Sequence, residues 1–126
     1  MRHSELIQVK RVKGKGRGVF ARCDIARGSV IEVAPVMLVP VATIVDGLHN
    51  PDLARFYFMW NDKYVAMVLG YGSLYNHSYQ PNARYEDGRG KTLLFRSIRK
   101  IKAGDEITIN YNGRPGDRRP VGFEVK

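Results

Sequence analysis

Apolar residues along the chain recur mostly at every second position, in short runs broken by glycine and proline. That is the pattern of half-buried strands, not of amphipathic helices. Leu6-Ile7-Gln8-Val9-Lys10-Arg11-Val12 opens as a strand. Val30-Ile31-Glu32-Val33 and Val36-Met37-Leu38-Val39 read as two more, split by Ala34-Pro35. Tyr64-Val65-Ala66-Met67-Val68-Leu69 is rich in strand formers. Arg84-Tyr85-Glu86 and Thr92-Leu93-Leu94-Phe95-Arg96 flank Asp87-Gly88-Arg89-Gly90, which reads as a hairpin loop. Glu106-Ile107-Thr108-Ile109-Asn110 alternates as a strand should. One short helix is expected near residues 51–60, where Asn50 can cap, Pro51 suits the first helical position and Asp52 suits the positive end of the dipole. Its aromatic residues are too dense for a single stripe. Ile25-Ala26-Arg27-Gly28-Ser29-Val30-Ile31 and Ile101-Lys102-Ala103-Gly104-Asp105-Glu106-Ile107 resemble each other, each reading as Ile, turn, Gly, strand, and are expected to be two similar hairpin-like turns in one β-fold.

Composition narrows the class. A chain of 126 residues suits one domain. No apolar run approaches the roughly 20 residues that span a bilayer, and the first residues lack the apolar stretch of a signal peptide, so a soluble cytoplasmic protein is expected, or a nuclear one if the source is eukaryotic or viral. A single cysteine, Cys23, excludes an internal disulfide and a multi-cysteine zinc cluster within one chain. Lys and Arg number 21 against 12 Asp and Glu, a net charge of +9. Lys10, Arg11, Lys13, Lys15 and Arg17 form one run without an acid, and Arg96, Arg99, Lys100 and Lys102 another. Such a field favours anionic partners but does not choose among nucleic acid, an acidic protein face and a cofactor.

Three constellations carry candidate chemistry. Gly14-Lys15-Gly16-Arg17-Gly18-Val19-Phe20-Ala21 lets backbone approach a ligand closely, yet it lacks the Gly-Lys-Ser/Thr ending of a phosphate loop and reads equally as a glycine turn between strands. Tyr71-Gly72-Ser73-Leu74-Tyr75-Asn76-His77-Ser78-Tyr79-Gln80-Pro81-Asn82-Ala83 packs hydrogen-bonding residues between two strands. It reads as a site or as a structural loop. His77 stands alone as a metal ligand, His3 and His49 being remote in sequence, and Ser78 has no nucleophile-elbow context. The stretch from Ile101 to Tyr111 places a tyrosine directly after a strand, a position that packing alone would explain.

Taken in order, Gly16-Arg17-Gly18-Val19-Phe20-Ala21, Asn76-His77-Ser78-Tyr79-Gln80-Pro81-Asn82 and Gly104-Asp105-Glu106-Ile107-Thr108-Ile109-Asn110-Tyr111 resemble the SET domain signature, over about residues 6–112. The size is similar to that of minimal stand-alone SET proteins of viruses and bacteria. The resemblance implies a mostly β fold of the β-clip type, several small sheets around a pseudoknot-like core, with residues 113–126 as a C-terminal tail. It implies transfer of a methyl group from S-adenosylmethionine to the ε-amine of a lysine in a protein substrate. By position, Lys15, Gly16, Arg17 and Gly18 would give backbone room to the cofactor, Asn76 would hold its amino end, the His77 backbone would meet its adenine, and Tyr75 and Phe123 would border it. Tyr111 matches the catalytic tyrosine. Tyr57, Tyr85 and Ile109 would line the lysine channel, and the modest size of Ile109 would leave room for more than one methyl group.

The chain departs from the family pattern at Tyr79, where a cysteine is common, and at Asn110, where an aspartate is usual. No cysteine-rich segment flanks the domain, so no metal is implied, and the tail around Phe123 or a second subunit of a homodimer is expected to cover the lysine channel and the adenine. A histone-like substrate is itself basic, so acids such as Glu86, Asp87, Asp105 and Glu106 would have to line its groove. The rival readings are a basic β-domain that binds nucleic acid or protein, and a SET fold that has lost activity. Nucleic acid is otherwise a secondary partner, and no membrane is implied.

Overall fold

Strands form where the alternation places them. The computed structural model describes residues 5–14, 16–44 and 57–119, without the side chains of Tyr57 and Ser73. β1 (Ile7–Val12) and β2 (Gly16–Ala21) make an antiparallel hairpin with Ile7 opposite Ala21 and Val12 opposite Gly16. β3 runs over Val30–Pro40, β4 over Tyr57–Met59 and β5 over Tyr64–Val68. β6 is the pair Asn76–His77, β7 is Ala83–Asp87, β8 is Thr92–Ser97 and β9 is Glu106–Ile109. Two sheets result, with strand orders β1-β2-β9-β6 and β4-β5-β3-β8-β7. β7 and β8 pair as the expected hairpin, with Arg84 opposite Arg96 and Asp87 opposite Leu93. Among the described residues no helix is long and apolar enough to cross a membrane.

Two expectations are corrected. Ala34-Pro35 does not split β3. The strand changes partners there instead, Pro35 being the last residue paired with β8 and Val36 the first paired with β5. A residue with no N–H is tolerated at such a switch, and its carbonyl accepts from Leu69 N at 2.9 Å. The helix expected near 51–60 falls partly outside the described residues, but Tyr57, Phe58 and Met59 are strand and pair with Met67, Ala66 and Val65. Phe58 is buried while Met59 is 74% exposed, the two-residue alternation of a sheet. Aromatic residues pack well on a pleated surface, which suits Phe58 to its place in the sheet.

The two similar segments meet in space. Ile25 and Ile101 form an antiparallel bridge, each N–H bonded to the other's carbonyl at 2.7 and 2.9 Å, and both side chains are buried. Gly28 and Gly104, three residues further on in each, both take the left-handed conformation, with φ of 82° and 90°. A side chain there would be strained. The core gathers around this bridge and β9, where Ile107 and Ile109 are completely buried with Val19, Ala34, Val65 and Phe95. Each buried Ile, Val or Phe among them contributes about 1.5–3 kcal/mol of burial. That holds β9 firmly, and the candidate site lies along it and at its end.

Candidate active site

β9 is the element on which the site is built. It lies antiparallel to β2 on one side and parallel to β6 on the other, with Asn76 opposite Thr108 and His77 opposite Ile109. Beyond β6 the loop stays pinned to β9: Ser78 N donates to Ile109 O at 2.9 Å. Asn82 then acts like a piece of strand, its Nδ2 donating to Glu106 O at 2.8 Å and its Oδ1 accepting from Thr108 N at 2.9 Å. Tyr111 lies two residues beyond the end of β9. Its backbone N–H donates to Nδ1 of His77 at 3.0 Å, and its hydroxyl donates to the carbonyl of Tyr75 at 2.5 Å. Both ends of Tyr111 are therefore fixed to β6 and the residue just before it.

Asn76 is held from the other side. Its Nδ2 donates to Arg17 O at 2.9 Å and to Glu106 Oε2 at 2.7 Å. With both N–H groups used, its Oδ1 is the acceptor left for a ligand's ammonium group. Gly18 explains how the strands come so close. A Cβ built on it would lie 2.5 Å from Glu106 Oε2 and 2.9 Å from Asn76 Nδ2, so any side chain there would displace the ends of both. The glycine turn, the Asn-His strand and the strand-end tyrosine, far apart in sequence, thus meet at β9.

A buried pair underlies the tyrosines. Glu32, only 9% exposed, accepts from the Tyr75 hydroxyl at 2.8 Å and from Tyr71 N at 2.9 Å. A register shift between Val30 and Glu32 aims it inward, so that Ile31 and Glu32 are both buried. Burial, and then the Glu32 charge, hold the Tyr75 hydroxyl well above its ordinary pKa. The Tyr75 ring stacks on Phe95, centroids 4.4 Å apart. Tyr85 donates from its hydroxyl to Tyr111 O at 3.4 Å, and Phe58 packs edge-on against its ring at 4.7 Å. Burial, and then Asp87, push the Tyr85 pKa up to about 12. His77 is 3% exposed, and burial lowers its pKa from 6.5.

The remaining expected residues are placed as follows. Gly16 and Arg17 are exposed on β2, and Arg17 serves through its carbonyl. Ile109 is fully buried opposite His77. Lys15, Phe123 and the Tyr57 side chain lie outside the described residues. Three of the acids expected to line a groove have partners in the fold. Glu106 holds Asn76, Glu86 pairs with Arg96 at 3.2 Å and Asp105 Oδ2 accepts from Lys102 N at 3.4 Å. Sequence reasoning missed Glu32, the anchoring roles of Asn82 and Glu106, and Phe58. Of these only Asn82 had a signal, its place in the Asn-His-Ser…Pro-Asn cluster. Among the described residues, no three His, Cys, Asp or Glu side chains form a metal-holding group.

The arrangement can bind a small cation-bearing ligand at backbone and amide oxygens, close to Tyr75 and Tyr85, whose hydroxyls stay protonated. A family model described as the SET domain matches residues 16–112. A Schizosaccharomyces pombe protein named histone-lysine N-methyltransferase, H3 lysine-37 specific, is 28% identical over 106 residues, which cover 83% of this chain and 72% of that protein. Histone-lysine N-methyltransferase SETD7 of Halocynthia roretzi is 25% identical, with 90% of this chain and 33% of that protein covered. Among solved structures, a Plasmodium falciparum protein described as a candidate histone methyltransferase superposes with a TM-score of 0.71 at 27% identity, over 88% of this chain and 95% of that one.

Proposed function

The chain belongs to the SET domain family, and from that premise we propose that it transfers a methyl group from S-adenosylmethionine to the ε-amine of a lysine in a protein substrate. The cradle fits that cofactor. Gly18 brings backbone to within a side chain's width of Asn76, and Asn76 Oδ1 suits the ligand's ammonium end. When bound, S-adenosylmethionine supplies an electrophilic methyl group on a sulfonium centre.

The protein's part is to deliver a neutral amine in line. Removing a proton from a lysine of pKa ~10.4 costs about 4–5 kcal/mol at pH 7. Partly buried tyrosine walls, Tyr85 and Tyr111, disfavour the charged form and reduce that cost, and the proton leaves to water. Because the Tyr111 hydroxyl spends its hydrogen on Tyr75 O, its oxygen can only accept. It takes an N–H of the amine and aims the nitrogen lone pair at the methyl carbon. Held by Asn76 and the backbone at Gly18, the sulfonium would give its methyl group to that nitrogen and keep the C–S electron pair. Tyr111 positions and does not act as a base, and positioning supplies much of the rate.

The observation that carries this reading is the double attachment of Tyr111 to His77 and Tyr75. Its test has two parts. S-adenosylhomocysteine should raise the melting temperature of the protein. Labelled S-adenosylmethionine should mark histone H3 or a protein band of a host lysate, and the mass of the labelled peptide counts the methyl groups. A protein indifferent to both compounds contradicts the reading.

A further inference from the structure

The family match ends at residue 112, yet three side chains inside it reach past that point to the same stretch of backbone. Asn110 is 2% exposed, and its Nδ2 donates to the carbonyls of Asp117 at 2.6 Å and Pro115 at 3.3 Å. Its Oδ1 accepts from Asn112 N at 3.0 Å. Asn112 Nδ2 and the Tyr79 hydroxyl both donate to the carbonyl of Arg119, at 2.7 and 3.0 Å. The carbonyls of residues 115, 117 and 119 are thus all held by side chains of the domain body. The arm is also stapled within itself, Asp117 accepting from Arg119 N and its guanidinium at 2.7–3.0 Å.

The donors that hold the arm are joined to the site. The Tyr79 ring stands edge-on to His77 with centroids 4.4 Å apart, and Asn110 immediately precedes Tyr111. A Cβ on Gly113, where the arm begins, would lie 3.3 Å from the Tyr85 hydroxyl. An amide is required at position 110, since a carboxylate of the same shape could not donate to two carbonyls. A tyrosine is required at 79 for its hydroxyl. All four bonds go to backbone carbonyls, so they set the path of the arm and not its composition.

We propose that Asn110, Asn112 and Tyr79 form a metal-free polar clasp that lays residues 113–119 against the His77–Tyr111–Tyr85 side of the pocket as part of its wall, and that they are positioning residues for cofactor binding. This inference rests on the function proposed above. The clasp acts on ground-state closure, so its loss changes affinity and not the chemical step.

Tyr79→Phe and Asn110→Asp test it, the first removing one hydroxyl, the second both donors. Hydrogen exchange of the 113–119 amides in the full chain should quicken in each variant. The Kd for S-adenosylhomocysteine should rise about threefold to tenfold, the size expected for one or two lost hydrogen bonds. KM for S-adenosylmethionine should rise with it, while kcat at saturation stays within about threefold of wild type. Should Asn110→Asp fail to fold, Asn112→Ala combined with Tyr79→Phe takes its place. Unchanged exchange, or faster exchange with unchanged Kd, overturns the clasp. Absence of any binding by the wild type sinks the functional reading, whereas wild-type binding with indifferent variants sinks the clasp alone.

Discussion

Tyr111 donates its backbone N–H to Nδ1 of His77 at 3.0 Å, and this fixes the imidazole as the neutral tautomer that carries its hydrogen on Nε2. A protonated ring has no acceptor and would lose the bond. Burial lowers the His77 pKa below 6.5, so between that lowered value and 6.5 the unfolded chain binds more protons than the folded one, and this contribution to stability grows with pH. It is complete above 6.5 and is lost as pH falls from there towards the folded value. Urea unfolding midpoints measured between pH 7.5 and pH 5 should fall more steeply in the wild type than in His77→Gln. Parallel slopes would mean that His77 does not titrate as described.

Gly18→Ala should cripple the cradle. The added methyl group meets Glu106 Oε2 and Asn76 Nδ2 at 2.5 and 2.9 Å, so both side-chain ends must shift and the bond between them is disturbed. Calorimetric affinity for S-adenosylhomocysteine should drop at least tenfold, equivalent to about 1.4 kcal/mol, with the fold retained by circular dichroism. Native affinity would show that the contact between β2 and β6 is not part of the binding site.

Tyr75→Phe strips a donor from the buried Glu32 carboxylate. A hydrogen bond to a buried charged group contributes about 1.5–3 kcal/mol, and a loss of that size should appear in the urea midpoint. Methyl transfer should also slow, because the carbonyl that anchors the Tyr111 hydroxyl belongs to the same residue. A variant of native stability would remove Glu32 from its assigned role.

Much of this was legible in the sequence because the motifs lie on short strands whose period is visible. The alternation of Glu106 to Asn110 located β9, Asp87-Gly88-Arg89-Gly90 located the turn between β7 and β8, and the glycine turn and Asn76-His77 fell beside β9 as the family resemblance implied. Glu32 was not legible, since strict alternation turns it outward and only the register shift in β3 turns it in. The strand at Tyr57–Met59 was hidden by a strong helix-start signal at residues outside the described structure. Asn110 and Tyr79 stood out only as departures from the family pattern, and their roles were not legible, because the groups they grip are backbone carbonyls, which every residue carries.

The most direct measurement compares wild type with Tyr111→Phe in single-turnover methyl transfer, with S-adenosylhomocysteine affinity measured alongside. Affinity should be nearly equal and the rate at least tenfold lower in the variant, because only the oxygen that receives and aims the amine is gone. Equal rates would contradict this role of Tyr111.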